Sequence, residues 1–136
     1  MVQYAREESV GSAEFVAVLR SSTLGERRPI DDLARIEGML QNANLIVTAR
    51  FDGELVGIAR SLTDFHYACY LSDLAVDQRH QRRGIGRALI RVTREHLAPK
   101  CRLILLAAPA AVDYYPRLGF RHHPQAWTLD SDQALS

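Results

Sequence analysis

The chain has 136 residues, of which 17 are Lys or Arg and 16 are Asp or Glu; 47% are hydrophobic and 24% charged. That length fits one domain able to bury roughly two-thirds of its unfolded surface without a disulfide or a metal, and the composition excludes wholesale disorder and a fibrous protein. A formal net charge of +1 excludes a general electrostatic bias towards nucleic acid or an anionic membrane.

Residues 2–8 read as a short first strand. Glu7 and Glu8 follow Met1 to Arg6 without the apolar core of a secretory signal, and no apolar run approaches the ~20 residues of a membrane span. A soluble, cytoplasmic protein is therefore expected. Ser12 is placed to cap a helix whose Phe15, Val18 and Leu19 recur at helical spacing. Gly25 to Pro29 reads as a loop, and a second helix follows near Asp31 or Asp32 with Leu33, Ile36 and Leu40 on one face. Leu45 to Phe51 and Glu54 to Ser61 flank Asp52-Gly53, the strongest short hairpin signal.

Tyr67 to Val76 reads as a mostly apolar, central strand, and the polar loop Asp77 to Arg83 leads into a helix from about Gly84. Ile85, Ala88, Leu89 and Val92 give that helix a buried face. The aliphatic run Arg102 to Ala107 is that of a strand covered on both faces. A helix over Ala110 to Leu118 stops at Gly119, a C-cap, and Pro116 directly after Tyr115 keeps it short or distorted. Phe120 to Leu129 reads as a last strand. The order β-α-α-β-β-β-α-β-α-β implies an α/β or α+β layered domain on a mixed sheet. Cys69 and Cys101 sit among apolar residues, as small core hydrophobes do in a reducing compartment.

Charge is unevenly placed. Residues 1–64 hold 7 Arg and 10 acids, whereas residues 65–136 hold 10 Arg or Lys and 6 acids; Gln78 to Arg94 alone holds six arginines and no acid. Within it, Gln81-Arg82-Arg83-Gly84-Ile85-Gly86-Arg87-Ala88-Leu89 follows a buried strand and opens a helix. The first turn of a helix leaves about four N–H groups unpaired at the positive end of its dipole. Gly84 and Gly86 remove Cβ atoms that would keep an anion from them, and Arg82, Arg83 and Arg87 add cationic donors. Such a segment is an anion cradle suited to phosphate or pyrophosphate. A P-loop is excluded because Lys100, the only lysine, lies elsewhere. A dinucleotide fingerprint is disfavoured because Leu89 takes the third glycine's place and no acid stands about 20 residues on.

The remaining pattern, [Gln/Arg]-x-x-Gly-x-[Gly/Ala], is matched by Gln81, Gly84 and Gly86. With it, the sequence resembles the GNAT superfamily of N-acetyltransferases. Two further blocks agree in order and spacing: Leu74-Ala75-Val76-Asp77 with its strand, and Tyr114-Tyr115-Pro116-Arg117-Leu118-Gly119-Phe120, similar to the family's aromatic-Tyr-x-x-x-Gly-Phe signature. The three blocks fall within residues 45–129, and the first third matches in pattern only. The resemblance implies one domain over residues 1–136, with a mixed, mostly antiparallel central sheet and helices on both faces. It also implies acetyl-CoA as donor and an amine as acceptor; no Cys/His/Asp cluster in the sequence suggests a metal site, so no metal is expected. The backbone of Leu74, Ala75 and Val76 would pair with the pantetheine amides. Gln81 belongs to the binding loop, and the amides of Arg82, Arg83, Gly84, Ile85, Gly86 and Arg87 would hold the pyrophosphate. The strand bearing Leu74 and the 102–107 strand would splay apart so that the thioester meets the amine.

Direct attack by an amine needs a base for the ammonium proton and an acid for the departing thiolate. Tyr115 stands at the family's tyrosine position; with a thiol pKa of about 8.5 and a tyrosine pKa of about 10, it serves mainly as a hydrogen-bond donor to developing charge. Many family members place a glutamate in the central strand, but none lies between Glu54 and Glu95 here. Asp73, Tyr70 or an ordered water is left as proton acceptor, and Asp73 alternatively only hydrogen-bonds a neighbouring loop. Strict alternation along a strand puts Tyr70 and Asp73 on opposite faces.

Simpler readings stand beside these. Arg91 and Arg94 fit a solvated helix face, and Arg87 stands between the two readings. Tyr114 fits packing, Trp127 fits a core or dimer contact, and for His66 and His80, in loops flanking the strand, solvation is the simpler reading beside contact with substrate. His122-His123 lacks metal-ligand spacing. A non-catalytic acetyl-CoA sensor is the competing function, distinguished by donor binding without turnover. A nucleic-acid module on the arginine-rich helix lacks interleaved aromatics. The acceptor would be shaped by Ser21 to Asn44 and the 61–68 loop, and dimers are common in the family.

Overall fold

The apolar periodicities of the first hundred residues become a sheet with helices packed on it. The computed structural model describes residues 1–136 and groups them into two compact units, Met1–Leu106 and Ala107–Ser136. The first unit runs β1 (Val2–Arg6), α1 (Ser12–Ser21), a 3-10 turn (Leu24–Arg27), α2 (Leu33–Asn42), β2 (Leu45–Phe51), β3 (Glu54–Thr63), β4 (Ala68–Val76), a second 3-10 turn (Gln78–His80), α3 (Ile85–Glu95) and β5 (Arg102–Ile104). The strands lie in the order β1-β2-β3-β4-β5. The first three pairings are antiparallel and β4–β5 is parallel. Between β2 and β3, Asp52 (φ 49°) and Gly53 (φ 83°) are both left-handed, as the tight hairpin turn demands.

Each sheet face has its own helices. Phe15, Val18 and Leu19 of α1 and Ile36 and Leu40 of α2 pack with Ile46, Ile58 and Ala75, each large side chain gaining roughly 1.5–3 kcal/mol by burial. On the other face, α3 lies close over Gly57, where a Cβ would come within 3.1 Å of both Ile85 and Leu89. Leu33, expected in the core, is 59% exposed, because α2 turns only its Ile36–Leu40 stripe inward. On α3, Ala88 is only half-buried, while Ile90 joins Ile85, Leu89 and Val92 in the core. Gly11, not Ser12, is the N-cap of α1, without a side-chain bond. Asp32 does cap α2, accepting from the Arg35 N–H at 3.2 Å. Cys69 is buried, Cys101 is half-buried and both are free thiols. No helix is long and apolar enough to cross a membrane.

The expected doubly covered strand at 102–107 is shorter and more open. Only Arg102–Ile104 pair, at the sheet edge, with Arg102 and Ile104 exposed. An aliphatic run reads alike in a central and an edge strand; the number of neighbours decides. In the second unit, a 3-10 turn (Pro109–Ala111) precedes α4 (Tyr114–Arg117), a single turn as Pro116 predicts. The strand expected over 120–129 does not form: Pro124 removes a ladder donor, and the Ala126 N–H turns back onto the His123 carbonyl at 3.4 Å.

Candidate functional site

The site grows from the way β4 loses one neighbour and keeps the other. It pairs with β5 only at Ala68–Arg102, Cys69–Leu103 and Tyr70–Ile104, yet stays paired with β3 as far as Gly57–Val76. From Leu71 to Val76, no strand lies on its β5 side. This is the splay that the family resemblance implies. It leaves the segment of Leu74, Ala75 and Val76 with an open edge, the arrangement to which an extended ligand can add as a strand. Ala75 faces the core; Leu74 and Val76 are half-buried.

A bulge interrupts β4 just before that segment. Arg60 opposes Asp73 but Ser61 opposes Leu71, so Ser72 is the extra residue. Tyr70 opposes Leu62, which shares a face of β3 with Arg60. Tyr70 and Asp73 therefore lie on the same face, correcting the expectation from strict alternation. Asp73 is fully buried and accepts from two arginines, Arg28 Nε on one oxygen and Arg60 Nε on the other. Arg28 Nη2 also donates to the Ser72 carbonyl at 2.8 Å. Arg60 donates to Ser72 Oγ at 2.9 Å and to the Met39 carbonyl at 3.1 Å. Neither arginine was picked out from the sequence. Arg60 is betrayed only by being a charge within an apolar strand, and Arg28 lies 45 residues from its partner with no motif around it.

Beyond β4 the chain is tied down and then opens. Asp77 accepts the Arg79 N–H at 2.9 Å, and its own N–H donates to the Val56 carbonyl at 2.8 Å. The Arg79 guanidinium holds the Asp77 carboxyl below its ordinary range, against the opposing effect of burial. Gln81 Nε2 donates to the Val76 carbonyl at 2.9 Å, stapling the loop to the end of β4. Arg82 (φ 65°) and Gly84 (φ 77°) are left-handed. From Arg82 to Arg87 no backbone N–H is bonded within the molecule; the first helical bond runs from Ala88 to the Gly84 carbonyl at 3.0 Å. Arg82, Arg83 and Arg87 are exposed and have no acidic partner. Arg79, by contrast, pairs with Asp77 and Glu54, and Arg91 with Glu95. Six open amides and three uncompensated guanidiniums at a helix start suit a pyrophosphate. His80 lies against Phe51, with ring centres 5.6 Å apart, and no metal-ligating cluster is present.

In the second unit, the Tyr-x-x-x-Gly-Phe spacing acquires a physical meaning. Gly119 (φ 100°) is left-handed and donates to the Pro116 carbonyl at 3.1 Å, while Phe120 donates to the Tyr115 carbonyl at 3.2 Å. These are the two bonds of a Schellman cap, and the Phe120 ring meets Tyr115 edge-on at 5.4 Å as its hydrophobic contact. Tyr114 stands edge-on to Tyr115 at 5.3 Å and is partly exposed. Trp127 is 92% exposed and packs in no core.

The sequence model of the acetyltransferase (GNAT) domain matches residues 21–128. The chain belongs to the GNAT acetyltransferase family. Solved GNAT-type structures share its fold. An acetyltransferase of the GNAT family from Streptococcus pneumoniae has 20% identity, covering 95% of this chain and 98% of its own, with a TM-score of 0.73. A ribosomal-protein-alanine N-acetyltransferase from Brucella melitensis has 23% identity, covering 96% and 99%, at 0.70. An aminoglycoside N-acetyltransferase in complex with CoA has 18% identity, covering 98% and 96%, at 0.73.

Proposed function

We propose that this GNAT protein transfers the acetyl group of acetyl-CoA to a primary amine of a small molecule or protein, by direct attack in a ternary complex. The observation that carries the reading is the run of unbonded amides from Arg82 to Arg87, beside unpaired arginines and next to the open edge of β4. Leu74, Ala75 and Val76 would take the pantetheine amides and the 82–87 loop the pyrophosphate, with Gln81 keeping the loop on the strand. An aminoglycoside N-acetyltransferase and a ribosomal-protein-alanine N-acetyltransferase have similar folds, which supports an amine without choosing its class.

Acetyl-CoA supplies an activated carbonyl and a thiolate leaving group. The C–N bond forms as C–S breaks, and the attacking ammonium loses two protons in all, one to solvent and one to the thiol. Tyr115, its ring held by Phe120, donates a hydrogen bond to the developing thiolate. Asp73 has both oxygens engaged by guanidiniums and is fully buried, so an ordered water takes the ammonium proton in our reading, and Asp73 has a structural part.

Calorimetry with acetyl-CoA, followed by thiol release across polyamines, amino acids, aminoglycosides and peptides, tests this. Saturable donor binding and release with at least one acceptor are expected. Absence of donor binding overturns the reading, and binding without release above hydrolysis leaves a non-catalytic CoA protein. Tyr115→Phe should lower turnover by about tenfold or more, the worth of a positioned donor, with donor affinity within about twofold. Unchanged turnover would remove Tyr115 from the mechanism.

A further inference from the structure

The cluster of Arg28, Asp73 and Arg60 joins the loop between α1 and α2, the bulge of β4, β3 and, through the Met39 carbonyl, the end of α2. Two cations and one anion held together at low exposure leave a surplus positive charge, and the carbonyls of Arg27, Ser72 and Met39 together with the Ser72 hydroxyl accept four further N–H groups. Arg28 does two things with one planar fork. Its Nε binds Asp73 and its Nη2 binds the carbonyl of Ser72, the extra residue of the bulge. That bulge comes two residues after Tyr70–Ile104, the last pair between β4 and β5.

We propose that Arg28, Arg60 and Asp73 are positioning residues: they hold the bulge that separates Leu74–Val76 from β5 and tie the α1–α2 loop to it. The proposal rests on the acetyl-transfer reading in two respects, that Leu74–Val76 is the donor strip and that this loop flanks the acceptor. Donor and acceptor segments are then fixed against each other through one buried carboxylate that touches neither substrate. Arg28 is the exposed end of the clamp, at 21% of its side chain, so its loss opens the clamp without leaving a hole in the core.

The test compares the wild type with Arg28→Gln, Arg28→Lys and the isosteric Asp73→Asn. It reads amide hydrogen exchange, CoA affinity, and the pH–rate profile with an amine found in the panel. In Arg28→Gln, exchange over 22–32 and 71–76 should quicken by about tenfold while 81–89 is unchanged, with CoA affinity within about twofold and kcat down by about tenfold. Arg28→Lys should recover only part of this, since one ammonium cannot serve Asp73 and Ser72 in a planar fork. Asp73→Asn should lower the rate and keep the shape of the profile. Unchanged exchange at 71–76 in Arg28→Gln overturns the clamp. Loss of the acid limb of the profile in Asp73→Asn overturns it too, making Asp73 the proton acceptor. Should the wild type bind no CoA, the acetyl-transfer reading fails, while exchange in Arg28→Gln still decides the clamp. If Asp73→Asn does not fold, the Arg28 variants decide alone.

Discussion

Arg50 shows how much one side chain can organise. Its guanidinium binds Glu7 at 2.8 and 3.1 Å, Glu14 at 2.8 and 3.0 Å, and the Gly53 carbonyl at 3.0 Å. It thereby links the end of β1, helix α1 and the β2–β3 turn, and Thr48 adds a donor to Glu7. The Arg50 hydrogen bonds hold both glutamates below their ordinary range, against the opposing effect of partial burial. A carboxylate whose folded pKa is depressed stabilises the fold above its unfolded pKa and loses that contribution as pH falls through the folded value. Thermal stability should therefore be flat above about pH 5 and decline below about pH 4, with unfolded glutamate titrating near 4.3. Arg50→Met should cost about 1–2 kcal/mol at neutral pH and flatten the acid decline, as measured by melting curves at stepped pH. An acid decline identical to the wild type would show that these glutamates are not its source. None of this network is visible locally, because Glu7 and Arg50 are 43 residues apart.

At the scale of elements, the Schellman cap of α4 makes a sharp case. A Cβ at Gly119 would meet no atom within 4 Å, but φ is 100°, so Gly119→Ala brings backbone strain and no clash. That strain is about 1–2 kcal/mol, and it loosens the turn that presents Tyr115. Turnover should fall in the direction of Tyr115→Phe while CoA affinity stays within about twofold; full activity would separate the cap from the chemistry. The glycine, the proline and the 3.6-residue periodicities were legible because each acts within a few residues. The bulge at Ser72 was not, since it exists only in the register between β3 and β4. The strand misread over 120–129 had suitable side chains, but Pro124 interrupts its donors and the segment stays outside the sheet.

For the whole molecule, ligand linkage offers a direct measurement. A donor that binds only the folded chain at 100 times its Kd adds about 2.7 kcal/mol. For a chain of this size, that corresponds to a rise in Tm of roughly 9 °C. CoA should give this shift, and pantetheine, which lacks the pyrophosphate, should give far less. Equal shifts from both would move the binding energy away from the 82–87 loop. Added salt should shrink the CoA shift, because Arg82, Arg83 and Arg87 are exposed and screened.

The element order through β5, the hairpin at Asp52-Gly53, the glycine-led helix start at Gly84 and the family itself could all be read from the chain, because periodicity, turn chemistry and motif spacing are local properties. Tertiary structure alone decided that β4 parts from β5 after Tyr70, that Ser72 is a bulge, and that Tyr70 shares a face with Asp73. It also brought Arg28 and Arg60 together on the buried carboxylate of Asp73. A carboxylate's chemistry is set by the charges that fold around it, and those come from residues 13 and 45 positions away.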